Sequence, residues 1–313
     1  MTTPEQTADP NQILQSVTSQ YILAPSAYAN LPVIAADGGV NLVNIIGEQA
    51  VIKVPKTIAP ARITMLRNES LALQLLERTD LSPYQTPALI QFSTDPVHLI
   101  ASFVRGKSMT EEELKQLSIV ERQRVGKSFG EYIIRQIAAV DPSTVEDDAL
   151  DQTVGSWFDF FDSNVGNFKD PNLPSLSRLS ESLRRKWHSH TQELRQISPY
   201  FIHGDLTIRN VALNDNLGIS GVFDWAKAHL GSLAEELSTL INGDEPLFET
   251  CLSTLDKNGV APSFEQVMLW REMKDTSFLI RALDSQGGET FEKFKAVAKQ
   301  RYPATDWAEL DMK

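Results

Sequence analysis

Short β-prone runs and turns dominate the first hundred residues of this 313-residue chain, and stretches with helical spacing dominate the rest. Two β-prone runs, residues 37–43 and 50–55, flank turn residues at 47–49. A third run, residues 98–105, ends at a glycine, as strands often do. A helical stretch at residues 69–77 lies between the second and third runs. The pattern predicts strands joined by turns, with one helix among them.

Farther along the chain, apolar residues recur at the spacing of an α-helix. One such set shares a single helical face: Val125, Phe129, Tyr132, Ile133 and Ile137. Residues 264–283 form a second stretch of the same kind. Both stretches are predicted to be helices, and the first is predicted to lie in a core.

A short apolar strand, residues 200–202, leads into a loop that carries Asp205 and Asn210. The segment after Asn210 predicts a β-hairpin, because Asn, Asp and Gly residues at 214–218 separate two short apolar runs. The hairpin returns the chain to Asp224. We therefore expect Asp224 to lie beside Asn210.

These three oxygen-bearing side chains suit phosphoryl transfer. Mg²⁺ prefers hard oxygen ligands and keeps water and substrate phosphates around it, so one carboxylate and one amide oxygen from the protein suffice. Asp224 and Asn210 fit that role. Asp205 is then left to accept a hydroxyl proton and to orient the attacking oxygen.

The motifs His203-Gly204-Asp205 and Phe223-Asp224-Trp225 resemble those of the aminoglycoside phosphotransferase family, the small-molecule branch of the protein-kinase-like fold. The resemblance implies an α+β fold of two lobes. The N-lobe would hold a small antiparallel β-sheet and one helix, and the larger C-lobe would be mainly helical. We expect residues 1–20 to form an N-terminal extension, 21–104 the nucleotide-binding N-lobe, and 105–313 the C-lobe with the acceptor pocket.

Upstream segments resemble the nucleotide site of the same family. The run that contains Asn41 resembles the hairpin that covers the nucleotide, and Lys53 matches the lysine that reaches the α and β phosphates. Glu69 matches the carboxylate that holds this lysine, although considered alone it would be an exposed helical acid. Ser102 and Val104 lie where the resemblance places the hinge, whose backbone recognises adenine.

Arg209, Lys227 and His229 depart from the usual pattern of the family. Members often carry a small residue at the first of these positions and an acidic residue near the second. Arg209 either stabilises charge on the transferring phosphoryl group or braces the loop through nearby backbone. Lys227 and His229 are candidates for altering substrate preference. His203 is expected to brace the loop and not to act as a base.

The chain is acidic, with a net charge of -12, which argues against a nucleic-acid binder. Residues 141–170 hold eight acids against one lysine. Within this interval, Asp159 and Asp162 alternate with aromatic residues, a combination that suits a cationic acceptor through ion pairing and cation–π contact. The alternative is an amphipathic helix whose aromatic residues pack inward and whose acids face water.

Composition excludes some classes of protein but does not identify the function. The chain is 42% hydrophobic and 22% charged, enough for two lobes with cores of their own. Its single cysteine, Cys251, excludes an intramolecular disulfide, and the first ten residues lack the features of a secretory signal. No apolar run reaches membrane-spanning length. We expect a cytoplasmic protein that does not act at a membrane, and its oligomeric state stays open.

The resulting hypothesis is a small-molecule kinase that uses Mg²⁺ and ATP or GTP. Its acceptor would be a hydroxyl group of a small molecule, such as an amino alcohol or an aminoglycoside, whose phosphorylation is a route to antibiotic resistance. One alternative is a catalytically silent nucleotide-binding regulatory protein. A protein kinase is disfavoured because Trp225-Ala226 stands where such kinases have Phe-Gly, and because no activation segment ending in Ala-Pro-Glu is present.

Overall fold

The computed structural model describes residues 9–23, 31–37, 39–145, 174–196, 199–241 and 244–284, together with residues 296 and 299. Asp159 and Asp162 lie outside the described residues. The described chain forms a β-sheet lobe followed by a mainly helical lobe, the α+β arrangement that the sequence predicts. Among the described residues, no helix is both long enough and apolar enough to cross a bilayer.

The first lobe is built on an antiparallel sheet of five strands in the order β1-β2-β3-β5-β4. The strands are β1 (Val33–Asp37), β2 (Asn41–Ile46), β3 (Ala50–Pro55), β4 (Leu89–Thr94) and β5 (Val97–Ser102). Gly47 and Glu48 join β2 to β3 with positive φ angles of 50° and 53°. Positive φ at both central residues gives the tight turn whose twist matches the paired strands.

Two helices cover opposite faces of this sheet. Helix α1 (Pro10–Leu23) packs with Ile100 of β5, whereas helix α2 (Pro60–Glu77) packs with its neighbours Leu99 and Ala101. Successive strand residues point to opposite faces, so β5 is buried on both sides. The sequence indicated only the second helix, and from Glu69 onward.

The sequence-based boundary between residues 20 and 21 falls inside α1. The apolar side chains of Ile13, Leu14 and Val17 are buried against the sheet, and the Thr18 hydroxyl accepts a hydrogen bond of 2.9 Å from the Asn44 amide. This helix therefore belongs to the hydrophobic core of the sheet lobe.

The second lobe contains six helices among the described residues. They are α3 (Glu111–Gln116), α4 (Ile119–Ala139), α5 (Pro174–Gln196), α6 (Leu233–Leu240), α7 (Glu245–Asp256) and α8 (Phe264–Asp284). Both helices predicted from apolar spacing, at 125–137 and 264–283, are confirmed as α4 and α8. Gly126 lets α4 approach α7 closely, because a Cβ atom there would meet the backbone carbonyl of Leu247.

Two small pairs of strands bring the candidate chemistry together. Strand β6 (Tyr200–Ile202) pairs with β9 (His229–Gly231), and β7 (Val211–Leu213) pairs with β8 (Ile219–Val222). The predicted hairpin after Asn210 is confirmed as β7 and β8. The second strand of this hairpin leads to Asp224, and α2 of the sheet lobe packs against the turn that follows Asp224.

Candidate active site

The loop of residues 203–210 begins at the end of β6 and carries Asp205 and Asn210. Gly204 has a φ of +75°, a conformation that side chains disfavour. A Cβ atom at this position would also collide with the carbonyl oxygen of Lys227. Glycine is therefore required both for the turn and for the close approach of the two segments.

His203 joins the loop to the segment that carries Asp224. Its Nδ1 accepts a hydrogen bond from the Asp205 backbone N–H at 3.2 Å, so the ring proton lies on Nε2. Nε2 then donates to the backbone carbonyl of Phe223 at 3.0 Å. The ring is fully buried against Trp225, at 4.7 Å between ring centroids. Its contacts are those of a residue that braces the loop.

Glu236 on α6 anchors the start of the loop, and the sequence did not single it out. Its two carboxylate oxygens accept hydrogen bonds of 2.8 Å each from the backbone N–H groups of His203 and Gly204. Burial raises the pKa of Glu236, although the hydrogen bonds from these two N–H groups oppose the rise. No local motif marks such a residue, because its partners lie more than thirty positions earlier in the chain.

Asp205 contacts Lys227, which the sequence suggested as a candidate for altering substrate preference. The Lys227 Nζ donates to Asp205 Oδ2 at 2.9 Å, and the two side chains are 44% and 34% exposed. Asp205 therefore keeps one carboxylate oxygen outside this ion pair. The pair is open to solvent, and so it is accessible to a ligand.

Asn210 and Asp224 are held at neighbouring places by the β7–β8 hairpin. The Phe223 N–H donates to the Asn210 backbone carbonyl at 3.0 Å, and the Asn210 amide nitrogen donates to the Asp205 carbonyl at 2.8 Å. Asp224 takes a left-handed conformation, with φ 69° and ψ 58°. Aspartate adopts this conformation more readily than most residues other than glycine, and here it occurs between the end of β8 and the start of the Trp225–Lys227 turn.

Lys53 of β3 connects the two lobes. Its Nζ lies 2.7 Å from Glu69 Oε1 on α2 and 2.8 Å from Asp224 Oδ1. Burial opposes the charged ammonium, but the two carboxylates outweigh burial and raise the pKa of Lys53 above its usual value. In turn, Lys53 lowers the pKa of Asp224. Glu69 is buried, unlike the exposed acid that its sequence alone would suggest.

The donor set suits a hard cation that arrives with phosphate ligands. Asp224 has a second oxygen outside its bond to Lys53, and its side chain is 41% exposed. Asn210 uses its amide nitrogen on Asp205, which leaves its amide oxygen available. No group of three or more His, Cys, Asp or Glu side chains suited to a metal occurs in the described part of the chain. One carboxylate and one amide fit Mg²⁺ bound jointly with phosphate groups.

The predicted adenine-binding hinge follows β5. The Phe103 N–H bonds the Gln49 carbonyl at 3.0 Å, and the Arg105 N–H bonds the Gln85 side chain at 3.2 Å. Between them, the backbone groups of Val104 have no hydrogen-bond partner within the described residues. Ser102 ends β5; its N–H donates to the Ala88 carbonyl at 2.9 Å, and its hydroxyl accepts a hydrogen bond of 2.8 Å from the Ala88 N–H.

Asn41 begins β2 on the sheet face that also carries Lys53. It lies two positions from Val43, the residue that pairs with Lys53, and alternate strand residues share a face. The Arg209 guanidinium lies 3.2 Å from a carboxylate oxygen of Glu111 on α3, an ion pair between the 203–210 loop and that helix.

The sequence profile of the phosphotransferase enzyme family (APH) matches residues 48–267, which is more than half of the chain. The match includes β3, α2, the 203–210 loop and the β7–β8 hairpin. No curated protein matches the chain in sequence.

Several solved structures share the fold at low sequence identity. The GDP complex of wild-type aminoglycoside 2'-phosphotransferase-IIIa has a TM-score of 0.72 and 14% identity, covering 94% of this chain and 98% of that chain. ADP-bound aminoglycoside phosphotransferase APH(2'')-Ib has a TM-score of 0.61 and 17% identity, covering 90% and 94%. A macrolide 2'-phosphotransferase from Brachybacterium faecium has a TM-score of 0.59 and 16% identity, covering 91% and 96%. Together they establish the kinase-like fold.

Proposed function

Because the chain belongs to the phosphotransferase enzyme family, we propose that it transfers the γ-phosphate of ATP or GTP to a hydroxyl group of a small molecule. The observation that carries the proposal is the Lys53 ammonium, which bridges Glu69 and Asp224 at 2.7 and 2.8 Å across the lobes. Asp205 and Asn210 lie on the segment next to this bridge. A cation held between two carboxylates is prepared to meet phosphate groups.

The nucleotide half of the proposed site lies on the sheet lobe. Lys53 contacts the α and β phosphates, and Glu69 keeps its ammonium in place. Asn41, the first residue of β2, belongs to the hairpin that covers the phosphates, and the backbone of Ser102 and Val104 binds the adenine or guanine base. The backbone groups of Val104, which have no hydrogen-bond partner in the described part of the chain, support this role, since backbone N–H and C=O groups are strong hydrogen-bonding groups. The lobe division near residue 104 is part of this proposal.

Asp224 and Asn210 would hold Mg²⁺ together with the nucleotide phosphates. The cation supplies charge neutralisation on the transferring phosphoryl group. Asp205 accepts the proton of the acceptor hydroxyl and orients its oxygen in line with the γ-phosphorus. Asn210 also fixes the Asp205 backbone through its 2.8 Å hydrogen bond, which couples the position of the metal ligand to that of the base.

We propose a cationic acceptor, such as an amino alcohol or an aminoglycoside. The support is the net charge of -12 and the acidic segment that contains Asp159 and Asp162. Of the three solved structures described above, two are named as aminoglycoside phosphotransferases and one as a macrolide phosphotransferase. GDP is bound in one of these structures and ADP in another, so GTP and ATP are both candidates for the phosphate donor of this chain. A cytoplasmic location agrees with such a reaction and with the single cysteine.

A phosphorylation screen tests the proposal. The purified chain would be incubated with Mg²⁺ and γ-labelled ATP or GTP, in parallel reactions that contain aminoglycosides, macrolides, amino alcohols or neutral sugars. We expect label on a cationic acceptor, and we expect the Asp159→Asn/Asp162→Asn double variant to raise the KM for that acceptor by about 10-fold without changing nucleotide binding. Nucleotide binding without transfer to any acceptor would favour the regulatory alternative, and a neutral or anionic best acceptor would exclude a cationic one.

A further inference from the structure

In the described part of the chain, Lys53, Arg209 and Lys227 lie at the candidate site, and no two of them share a carboxylate partner. Lys53 contacts Glu69 and Asp224, whereas Arg209 contacts Glu111. Lys227 is the cation that contacts Asp205, with 2.9 Å between Nζ and Oδ2. Among the described residues, the carboxylate that we propose as proton acceptor is therefore matched with a lysine that the proposed reaction has not yet used.

Stability does not account for this ion pair. Exposed pairs of this kind contribute about 0 to 1 kcal/mol to folding, because water screens them and ordering long side chains opposes them. Both partners are more than one third exposed. An ammonium has three N–H donors, and the contact with Asp205 uses one of them. The pair is thus better suited to orienting a reactive carboxylate than to holding the fold together.

The backbone of Lys227 is fixed on the side next to the 203–210 loop. It ends a short 3-10 turn, Trp225–Lys227, whose Trp225 ring is fully buried and stacked on Phe201. The Lys227 carbonyl accepts a hydrogen bond of 2.8 Å from His229 Nδ1. It also lies so close to Gly204 that a Cβ atom on that residue would collide with it. A long flexible side chain therefore starts from a defined point beside Asp205.

His229 is itself held by a buried cluster of charges. Its Nε2 lies 3.2 Å from Glu235 Oε1, which is 3.8 Å from Lys274 Nζ. Burial opposes the charged imidazole, but Glu235 outweighs burial and raises the pKa of His229. Buried ion pairs add little net stability, because desolvation of both charges offsets their attraction. The cluster therefore fixes the position of the His229 imidazole, which donates a hydrogen bond to the Lys227 carbonyl.

We infer that Lys227 is a positioning residue for Asp205, with His229 and Gly204 setting the place from which its ammonium reaches the carboxylate. The inference rests on the proposed function. By holding Oδ2, Lys227 turns Oδ1 of Asp205 toward the acceptor hydroxyl and limits the rotation of the carboxylate. Such orientation raises the rate of transfer and leaves nucleotide binding unchanged.

In the step concerned, Asp205 Oδ1 takes the proton from the acceptor hydroxyl, and the hydroxyl oxygen forms a bond to the γ-phosphorus. The bond between the γ-phosphorus and the bridging oxygen breaks, and the nucleoside diphosphate leaves with its electron pair. The proton then passes from Asp205 to solvent. Lys227 keeps its own protons throughout.

Chemical restoration of the amine tests the role directly. Lys227→Cys removes the ammonium, and 2-bromoethylamine converts the introduced thiol into an aminoethyl group of nearly the same length as lysine. Iodoacetamide gives a neutral adduct as the comparison. The natural Cys251 is fully buried, and burial raises its thiol pKa, so the introduced thiol is the reactive one. Lys127→Cys is the matched control, because Lys127 is an exposed lysine paired with Glu131 at 3.4 Å on α4.

The readouts are kcat and KM for MgATP and MgGTP, with the acceptor found by screening and with water as acceptor. We expect Lys227→Cys to lower kcat by about 10- to 100-fold, with nucleotide Kd and unfolding midpoint unchanged. Aminoethylation should restore most of kcat, and carboxamidomethylation should not.

Lys127→Cys should match the wild type before and after either reagent. An active wild type with equally active Lys227→Cys, or equal recovery with both reagents, overturns this inference alone. A wild type that consumes neither nucleotide overturns the proposed function, and this inference with it.

Discussion

Glu236 shows how a single buried carboxylate determines the shape of the candidate site. It receives the N–H groups of His203 and Gly204 at the point where the loop leaves β6. Asp205 follows directly, so its direction depends on this contact. The carboxylate can accept from both N–H groups at once, which no amide can do with both of its terminal atoms.

We therefore predict that Glu236→Gln lowers the free energy of unfolding by about 1–3 kcal/mol, because one buried N–H would face an NH2 group and lose its acceptor. The rate of phosphoryl transfer should fall as well. Denaturant unfolding measures the first effect. Glu249→Gln, on an exposed position of α7, is the control and should change neither quantity. Wild-type stability in Glu236→Gln would show that the two hydrogen bonds do not anchor the loop.

The sequence predicted the positions of some site residues but not the contacts of others. Asp205, Asn210 and Asp224 could be placed together because they lie within one loop and one hairpin, where turn residues fix the geometry. The partners of Glu236 and Lys227 could not be predicted in the same way. These contacts depend on how α6 and the Trp225–Lys227 turn pack against the loop, which no local pattern encodes.

Helix α1 is the element that the sequence analysis left outside the sheet lobe. Leu14 and Val17 lie on its buried face and pack against Ile46, Ile52 and Val54 of the sheet. The helix is short and its apolar face is narrow, so its pattern was weaker than that of α4. Helix α2 was indicated only from Glu69, yet it begins at Pro60, since proline suits the first turn of a helix.

If α1 belongs to the core of the sheet lobe, Leu14→Ala should lower the free energy of unfolding by about 2 kcal/mol, through lost apolar burial and the cavity that remains. Gln15→Ala, at an exposed position of the same helix, should have no measurable effect. Thermal or denaturant unfolding gives the comparison. Equal stability of the two variants would mean that α1 is an extension that the lobe does not need.

Across the whole molecule, the two lobes meet at the Lys53–Asp224 ion pair, which joins positions 171 residues apart. The sequence predicted two lobes and their order through resemblance, and the described residues have that arrangement. The ion pair that joins the lobes could not be predicted from the sequence. Lys53, Glu69 and Asp224 form one coupled cluster, so a nucleotide that binds Lys53 also changes the surroundings of Asp224.

In the proposed reaction, Asp205 serves phosphoryl transfer and not nucleotide binding. The most direct measurement compares Mg²⁺-dependent γ-phosphate transfer and nucleotide Kd in the wild type and in Asp205→Asn. Asp215→Asn, an exposed aspartate in the β7–β8 turn, is the control. We predict that Asp205→Asn lowers kcat by about 10²-fold or more with an unchanged Kd, and that Asp215→Asn equals the wild type. Transfer at the wild-type rate by Asp205→Asn would contradict the role of Asp205 as proton acceptor.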